Sequence, residues 1–85
     1  MKKMFHERGF EDYSYWEDND LKKIKKIRRL LKSIERDGIM KGEGKPEKLR
    51  YFEGFYSRRI DDENRLIYTV EDEIIIIAAC KGHYE

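Results

Sequence analysis

The feature that most constrains the fold is an apolar run near the end of the chain, Ile74–Ala79, in which no polar residue alternates with the apolar ones. Such a strand has apolar side chains on both faces, so we expect it to be covered on both sides. Two earlier segments, 55–60 and 65–70, are rich in β-branched and aromatic residues and are separated by acidic turns. The C-terminal half is therefore predicted to be a three-stranded meander, with its last strand over 74–80.

The N-terminal half has helical periodicity. Aromatic residues recur every three positions from Phe10, which predicts a first helix that ends near Asp20. Asp20 can cap a second helix, and Gly38 can end it, because a short carboxylate satisfies free N–H groups and glycine tolerates the left-handed conformation. Residues 2 to 6 are predicted to form a short edge strand. The apolar stripes expected to cover the sheet are Phe10, Tyr13, Trp16, Leu21, Ile24, Ile27, Leu31 and Ile34.

Length and composition exclude several classes of protein. The chain has 85 residues, room for one domain (1–85) with a modest core. No stretch approaches the roughly 20 apolar residues of a membrane helix, and the N-terminus lacks a signal-peptide core, so we expect a cytoplasmic protein. One cysteine, Cys80, excludes an internal disulfide and a cysteine-based zinc site. The two histidines, His6 and His83, lie far apart in sequence, so no metal site is expected and no cofactor is indicated.

The charges nearly cancel over the whole chain, but they are unevenly placed. Residues 21–36 contain eight lysines or arginines and one acid, Glu35, which gives this segment a charge of +7. One interpretation is a solvated helix face that is balanced by acidic turns on either side. The other is a surface that contacts phosphate or an acidic partner. Charge alone leaves both open.

Two arginines are predicted to face each other across the meander. A first turn centred on Asp62 places Arg59 opposite Arg65 on the same face, and a second turn centred on Asp72 would place Arg65 opposite Ala79, with His83 just beyond. Like charges directly opposite destabilise a sheet unless an anion lies between them. Alternatively, these arginines and Arg58, which is predicted to point to the other face near Tyr56 and Ile60, form surface ion pairs with Asp61, Glu63 or Glu53.

The glycine-containing loop 42–47 is not a phosphate-binding loop of the nucleotide-binding type, because it lacks the GK[ST] ending and a preceding strand. Its last residue, Glu47, adds a carboxylate to the histidine and arginines of the C-terminal half. An acid, a base and cations that hold an anion are what metal-free cleavage of a phosphodiester requires. The residue set therefore points first to a ribonuclease.

At these residues the chain resembles the YoeB/Txe toxins of bacterial toxin–antitoxin pairs, within the RelE/ParE superfamily. The resemblance rests on the ordered set GKPE (44–47), SRRI (57–60), RLIY (65–68), IAAC (77–80) and HY (83–84), and it extends upstream over essentially the whole chain. It implies an α+β fold, with two N-terminal helices packed on a twisted antiparallel sheet. It also implies an endoribonuclease that cuts messenger RNA in the ribosomal A site.

The resemblance carries roles over to individual positions. Glu47 matches the glutamate that takes the proton from the ribose 2′-hydroxyl, and Arg65 matches the arginine that stabilises charge on the phosphate. His83 matches the histidine that protonates the departing 5′-oxygen, and a histidine, whose pKa is ordinarily about 6.5, suits that task. The residues expected to help hold the substrate phosphate are Arg50, Arg59 and Tyr84.

The chain departs from the family pattern at four places. Arg50 replaces a frequent lysine, and Tyr56 replaces a frequent tryptophan. Gly82 stands where relatives usually have tyrosine, so we expect a looser segment that lacks a stacking group. Glu85 extends past the usual terminal tyrosine and adds negative charge near the site.

The resemblance also implies partners. These are the 30S ribosomal A site with its messenger RNA, a small acidic YefM-like antitoxin, operator DNA only through that antitoxin, and a second copy in a homodimer. The residues expected to contact ribosomal RNA are Lys22, Lys23, Lys25, Lys26, Arg28 and Arg29. Two alternatives remain open, a ParE-like gyrase inhibitor and a binding relative that has lost its chemistry.

Overall fold

The computed structural model describes residues 1–83, which form two helices and one five-stranded sheet. In chain order the elements are β1 (Lys2–Phe5), α1 (Glu7–Asn19), α2 (Leu21–Asp37), β2 (Glu47–Lys48), β3 (Tyr56–Arg59), β4 (Arg65–Glu71) and β5 (Ile74–Ala79). The spatial order is β1-β5-β4-β3-β2. All neighbouring strands are antiparallel except β1 and β5, which are parallel. The predicted α+β architecture is confirmed, with a mixed sheet at this one edge.

Strand β5 lies inside the sheet, between β1 and β4. On one face, Ile75 and Ile77 pack with the apolar residues of both helices. On the opposite face, Ala78 and Ala79 pack with Ile67, and the partly buried Phe55 covers this second cluster. The prediction of a strand buried on both faces is confirmed. We call these two sides of the sheet the helix face and the open face.

Both helices have the ends that their sequence predicts, with one shift. The Asp20 side chain accepts a hydrogen bond from the Lys22 N–H at 3.1 Å and caps α2, and the Gly38 N–H donates to the Ile34 carbonyl at the other end. Helix α1 begins at Glu7, earlier than predicted. Two residues assigned to the apolar stripes, Phe10 and Leu21, are instead 59% and 63% exposed, because each lies at an edge of the surface that its helix buries.

The strand register is partly as predicted. Arg59 does face Arg65, but Ala79 faces Ile67 and not Arg65. The β4–β5 turn has two residues, Asp72 and Glu73, both with positive φ (51° and 61°), as in a type I′ hairpin, so its centre lies between them. An irregularity between Ile67 and Tyr68 then shifts the register by one further residue. The Arg65 N–H consequently bonds the Gly82 carbonyl, at 2.9 Å.

Candidate active site

A cavity of about 440 Å³ on the open face brings together five of the six residues for which the sequence predicts catalysis or phosphate binding. It also contains residues that the sequence analysis did not assign. Its lining consists of Lys45, Glu47, Lys48, Arg50, Ser57, Arg59, Arg65 and His83. The sixth residue, Tyr84, and Glu85 lie outside the described residues.

The short strand β2 explains why the carboxylate and the arginines share a cavity. Glu47 pairs with Ser57 on β3, and Arg59 lies two residues further along β3, on the same face. Arg59 in turn pairs with Arg65 on β4. Because strand side chains alternate between faces, all four point to the open face, and side chains of directly paired residues lie about 5 Å apart at Cβ.

Backbone carbonyls accept hydrogen bonds from one edge of the Arg65 guanidinium. The side chain is 9% exposed, and Nη1 donates to the carbonyls of Asp61 (2.7 Å), Asn64 (3.2 Å) and Asp62 (3.4 Å). Within residues 1–83 no hydrogen bond uses Nε or Nη2. The bonded edge fixes the group, and the other edge is available to a phosphate, which a guanidinium binds through two parallel N–H donors.

The segment that carries His83 is tied to the β3–β4 turn. The Gly82 N–H donates to Asn64 Oδ1 at 2.8 Å, and the Gly82 carbonyl accepts from Arg65. Gly82 has a φ of 97°, a backbone conformation that favours glycine. A looser segment was expected here, but the N–H and the carbonyl of Gly82 are both hydrogen-bonded. Asn64 is itself held by the Asp61 carboxylate. His83 therefore follows a segment with a defined position.

Asp61 anchors that turn to α2. Burial alone would raise the pKa of its carboxyl, but hydrogen bonds from the Glu63 and Asn64 amides and from Lys23 outweigh burial and lower it. The Lys23 ammonium lies 3.2 Å from Asp61 Oδ2. The carboxylate is thus a structural acceptor and not a counter-ion for Arg65, whose hydrogen bond to Asp61 goes to the backbone carbonyl.

The loop that precedes Glu47 is held in place by Arg58, whose side chain lies on the helix face and is completely buried. Its guanidinium donates to the carbonyls of Gly38 (2.7 Å), Lys41 (2.7 Å) and Glu43 (2.9 Å). It also donates to the Ile39 carbonyl, Ser33 Oγ and the Tyr68 hydroxyl. The prediction that Arg58 points away from the site is correct, but none of its partners in the described chain is a carboxylate.

Lys45 and Lys48 are the lining cations that sequence reasoning missed. Gly44 has φ of 91° and its carbonyl accepts from the Arg59 N–H at 2.7 Å, which fixes the loop against β3. Lys45 follows with φ of 52°, an uncommon conformation for a side chain-bearing residue, and lines the cavity. The signal available in the sequence was the order glycine, lysine, proline directly before Glu47.

The lining carries five cationic side chains and one carboxylate, a net charge of +4 with His83 neutral. The ion pairs found within residues 1–83 use other groups, and none includes Arg50, Arg59 or Arg65. The alternative expectation of surface ion pairs for the arginines is therefore wrong in this part of the chain. Opposed arginines without a counter-ion destabilise the sheet and favour a bound anion.

Ion pairs neutralise only part of the basic surface of α2. Lys23 pairs with Asp20 and Asp61, while Lys26 and Arg29 both contact Glu43, at 3.0 and 3.1 Å. These contacts lower the pKa of Glu43, chiefly through its hydrogen bond with Lys26. Arg28 donates to the Tyr13 hydroxyl. Of the six residues predicted to contact RNA, three are exposed and have no ion pair in the described chain: Lys22, Lys25 and Arg28.

The described residues contain no group of three or more histidine, cysteine, aspartate or glutamate side chains that could hold a metal ion. None of the helices found there is long and apolar enough to cross a membrane.

Comparison with known proteins identifies the family of this chain. Residues 5–84 match the family model described as the YoeB-like toxin of bacterial type II toxin–antitoxin systems. The toxin YoeB of Escherichia coli (strain K12) is 45% identical over 99% of this chain and 100% of its own. The YoeB chain of a heterotetrameric YoeB–YefM complex from Staphylococcus aureus is 54% identical, with a TM-score of 0.92 over 99% of this chain and 98% of that one. A YoeB dimer from the same organism is 54% identical, with a TM-score of 0.93 over the same shares. The chain belongs to the family of YoeB-like toxins of bacterial type II toxin–antitoxin systems.

Proposed function

We propose that this toxin is an endoribonuclease that cleaves messenger RNA in the ribosomal A site and thereby inhibits translation. The observation that carries the proposal is the open-face cavity, which combines Glu47, Arg65 and His83 with further cations and leaves the arginines without a carboxylate partner in the described chain. A carboxylate, a histidine and arginines around one cavity supply a base, an acid and charge stabilisation.

The reaction we propose is transesterification by the substrate's own 2′-hydroxyl. Glu47 takes the proton from this hydroxyl, whose oxygen attacks the adjacent phosphorus. The bond from phosphorus to the 5′-oxygen breaks, and His83 donates a proton to that oxygen. The products are a 2′,3′-cyclic phosphate and a 5′-hydroxyl, so atoms and protons balance without a water or a cofactor.

The arginines stabilise the phosphate as its charge increases. The open edge of Arg65 faces the cavity, and Arg59 lies opposite on β3, so a phosphate between them meets donors from two strands. Such fixed donors act on charge in the transition state without reorganisation. Arg50 and Lys45 complete the ring, and we propose that Tyr84 contributes beside His83.

The proposed setting is the cytoplasm, with the 30S A site and its messenger RNA as substrate complex. The exposed α2 cations without an ion pair in the described chain, Lys22, Lys25 and Arg28, are the best placed for ribosomal RNA. Lys23, Lys26 and Arg29 would first have to break their ion pairs with carboxylates of this chain. By analogy with the S. aureus relatives we propose neutralisation by an acidic YefM-like antitoxin, a homodimeric form, and contact with operator DNA only through the antitoxin.

The test maps messenger RNA ends by primer extension, with purified protein and 70S ribosomes. We expect cuts at A-site codons that require ribosomes and disappear in His83→Gln and Arg65→Ala. Arg36→Ala is the matched control, because Arg36 is an exposed cation that pairs only with its neighbour Asp37 in the described chain and should leave cleavage unchanged. Intact message despite ribosome binding would overturn the proposal, and inhibition of gyrase supercoiling would replace it with the ParE-like alternative.

A further inference from the structure

Hydrogen bonds and ring stacking fix the conformation of the loop between β2 and β3, residues 49–55. The Leu49 N–H donates to the Phe55 carbonyl at 3.0 Å and closes the loop, and the Phe55 N–H donates to the Phe52 carbonyl at 3.1 Å. Thr69 Oγ1 on β4 donates to the Gly54 carbonyl at 2.7 Å. The Phe52 and Phe55 rings stack at 4.4 Å between centroids, with 9° between their planes. The loop is therefore fixed on the open face of the sheet.

From this fixed loop one aromatic side chain projects into solvent. Tyr51 is 83% exposed, the highest value among the large apolar or aromatic side chains of residues 1–83. The guanidinium carbon of Arg50 lies over its ring, 5.9 Å from the centroid. No hydrogen bond uses the Tyr51 hydroxyl within the described residues. Folding thus leaves the ring uncovered and places a cation against it, an arrangement that stabilises the fold little at an exposed site.

Arg50 connects this ring to the candidate active site. It lines the catalytic cavity and also a second cavity of about 500 Å³, and Lys48 lines both. Leu49, Phe55 and Tyr56 also line the second cavity, together with one carboxylate, Glu53, so apolar and aromatic side chains adjoin the cationic lining there. A chain that places one phosphate between Arg59 and Arg65 can extend past Arg50 toward Tyr51.

Resting on the proposed function, we propose that Arg50 and Tyr51 form a stacking subsite for an unpaired RNA base next to the cleaved phosphate. Aromatic rings and arginine planes are the surfaces on which proteins stack single-stranded bases. Two exposed aromatic residues, Tyr51 and Phe52, lie here between the charged Arg50 and Glu53, which interrupt the apolar surface that a protein partner would cover. A base, which needs a ring face and an adjacent phosphate contact, fits both features.

The test measures binding without cleavage or ribosomes. A fluorescein-labelled, fully 2′-O-methylated RNA hexamer lacks the attacking hydroxyl, so its affinity by anisotropy at low salt does not depend on catalysis. We expect Tyr51→Ala to weaken binding about 5- to 100-fold, and Tyr51→Trp to retain it, since loss of one stacked base has effects of that order. Phe10→Ala removes another exposed aromatic residue, on α1, and should change nothing.

A scan with abasic hexamers locates the stacked base. We expect weaker binding to the wild type for the hexamer that lacks the stacked base, and for no other abasic hexamer. With that hexamer, the wild type and Tyr51→Ala should bind with equal affinity. Equal affinities for the two proteins, an equal loss at every abasic position, or no binding by the wild type at millimolar hexamer would each overturn the subsite. Failure of messenger RNA cleavage together with Tyr51-dependent binding would refute the nuclease and leave the subsite standing.

Discussion

Replacement of Arg58 by methionine tests how the chain holds the loop that delivers Glu47. Arg58 has no exposed surface, and its guanidinium fills a shell of neutral acceptors. Methionine keeps most of the length of the side chain but removes every donor. Three of the acceptors keep other partners: Ser33 Oγ still accepts from the Glu43 N–H, and the Tyr68 hydroxyl still donates to the Ile39 carbonyl.

The expected loss of stability follows from the acceptors that keep no partner in the described chain. These are the carbonyls of Gly38, Lys41 and Glu43. A buried acceptor left unsatisfied costs about 1–3 kcal/mol, and the loop is near enough to water that the lower figure applies. Three such carbonyls give ~3 kcal/mol, which would lower the Tm of a domain of this size by more than about 10 °C.

Urea denaturation followed by tryptophan fluorescence measures this loss, because the only tryptophan, Trp16, is buried and donates to the Cys80 carbonyl at 2.8 Å. Arg59→Met is the matched control, since the adjacent arginine is exposed, has no side-chain hydrogen bond in the described chain and faces another cation. Because its removal relieves the repulsion with Arg65, we expect the free energy of unfolding to be unchanged or to rise by less than about 0.5 kcal/mol. A loss below about 1 kcal/mol for Arg58→Met, or equal losses for the two variants, would refute the reasoning.

Three further predictions concern charge and burial. Inorganic phosphate should stabilise the wild type by ~1.4 kcal/mol at ten times its Kd, and Arg59→Gln should reduce the effect, whereas chloride at equal ionic strength should not reproduce it in thermal melts. Because the folded pKa of Asp61 lies below its ordinary value, its contribution is full above about pH 4 and is lost as the pH falls further, so the acid limb of urea stability should flatten in Asp61→Asn. Burial raises the pKa of the Cys80 thiol to about 12, so a disulfide reagent at pH 8 should label it only after urea unfolds the chain.

Much of the framework follows from local patterns in the sequence. The run 74–79 indicates a strand covered on both faces, and the caps at Asp20 and Gly38 define both ends of α2. The pairing of Arg59 with Arg65 follows from the length of the turn between them. These features depend on neighbours within a few residues, which is why a single sequence reveals them.

Other features depend on geometry that residue types alone do not specify. The β4–β5 turn required two residues with positive φ at Asp72 and Glu73, where the composition did not signal it, and the resulting register brings Gly82 and not Ala79 beside Arg65. Lys45 and Lys48 both line the cavity, and the hydrogen bond from the Arg59 N–H to the Gly44 carbonyl fixes the loop that carries Lys45. The α2 charges looked free in sequence, but Glu43 lies across the loop and pairs with two of them.

The adjacent arginines on β3 show how strand alternation separates stability from chemistry. Arg58 points to the helix face, where carbonyls saturate it, so its charge stabilises the loop and is unavailable to a ligand. Arg59 points to the open face, opposite Arg65, where its charge raises the energy of the empty site. Binding of a phosphate would reduce the repulsion between the two arginines. The reduction would become larger as negative charge accumulates on the phosphate. The repulsion between the two arginines would therefore favour binding of the transition state over binding of the ground state, which is the condition for catalysis.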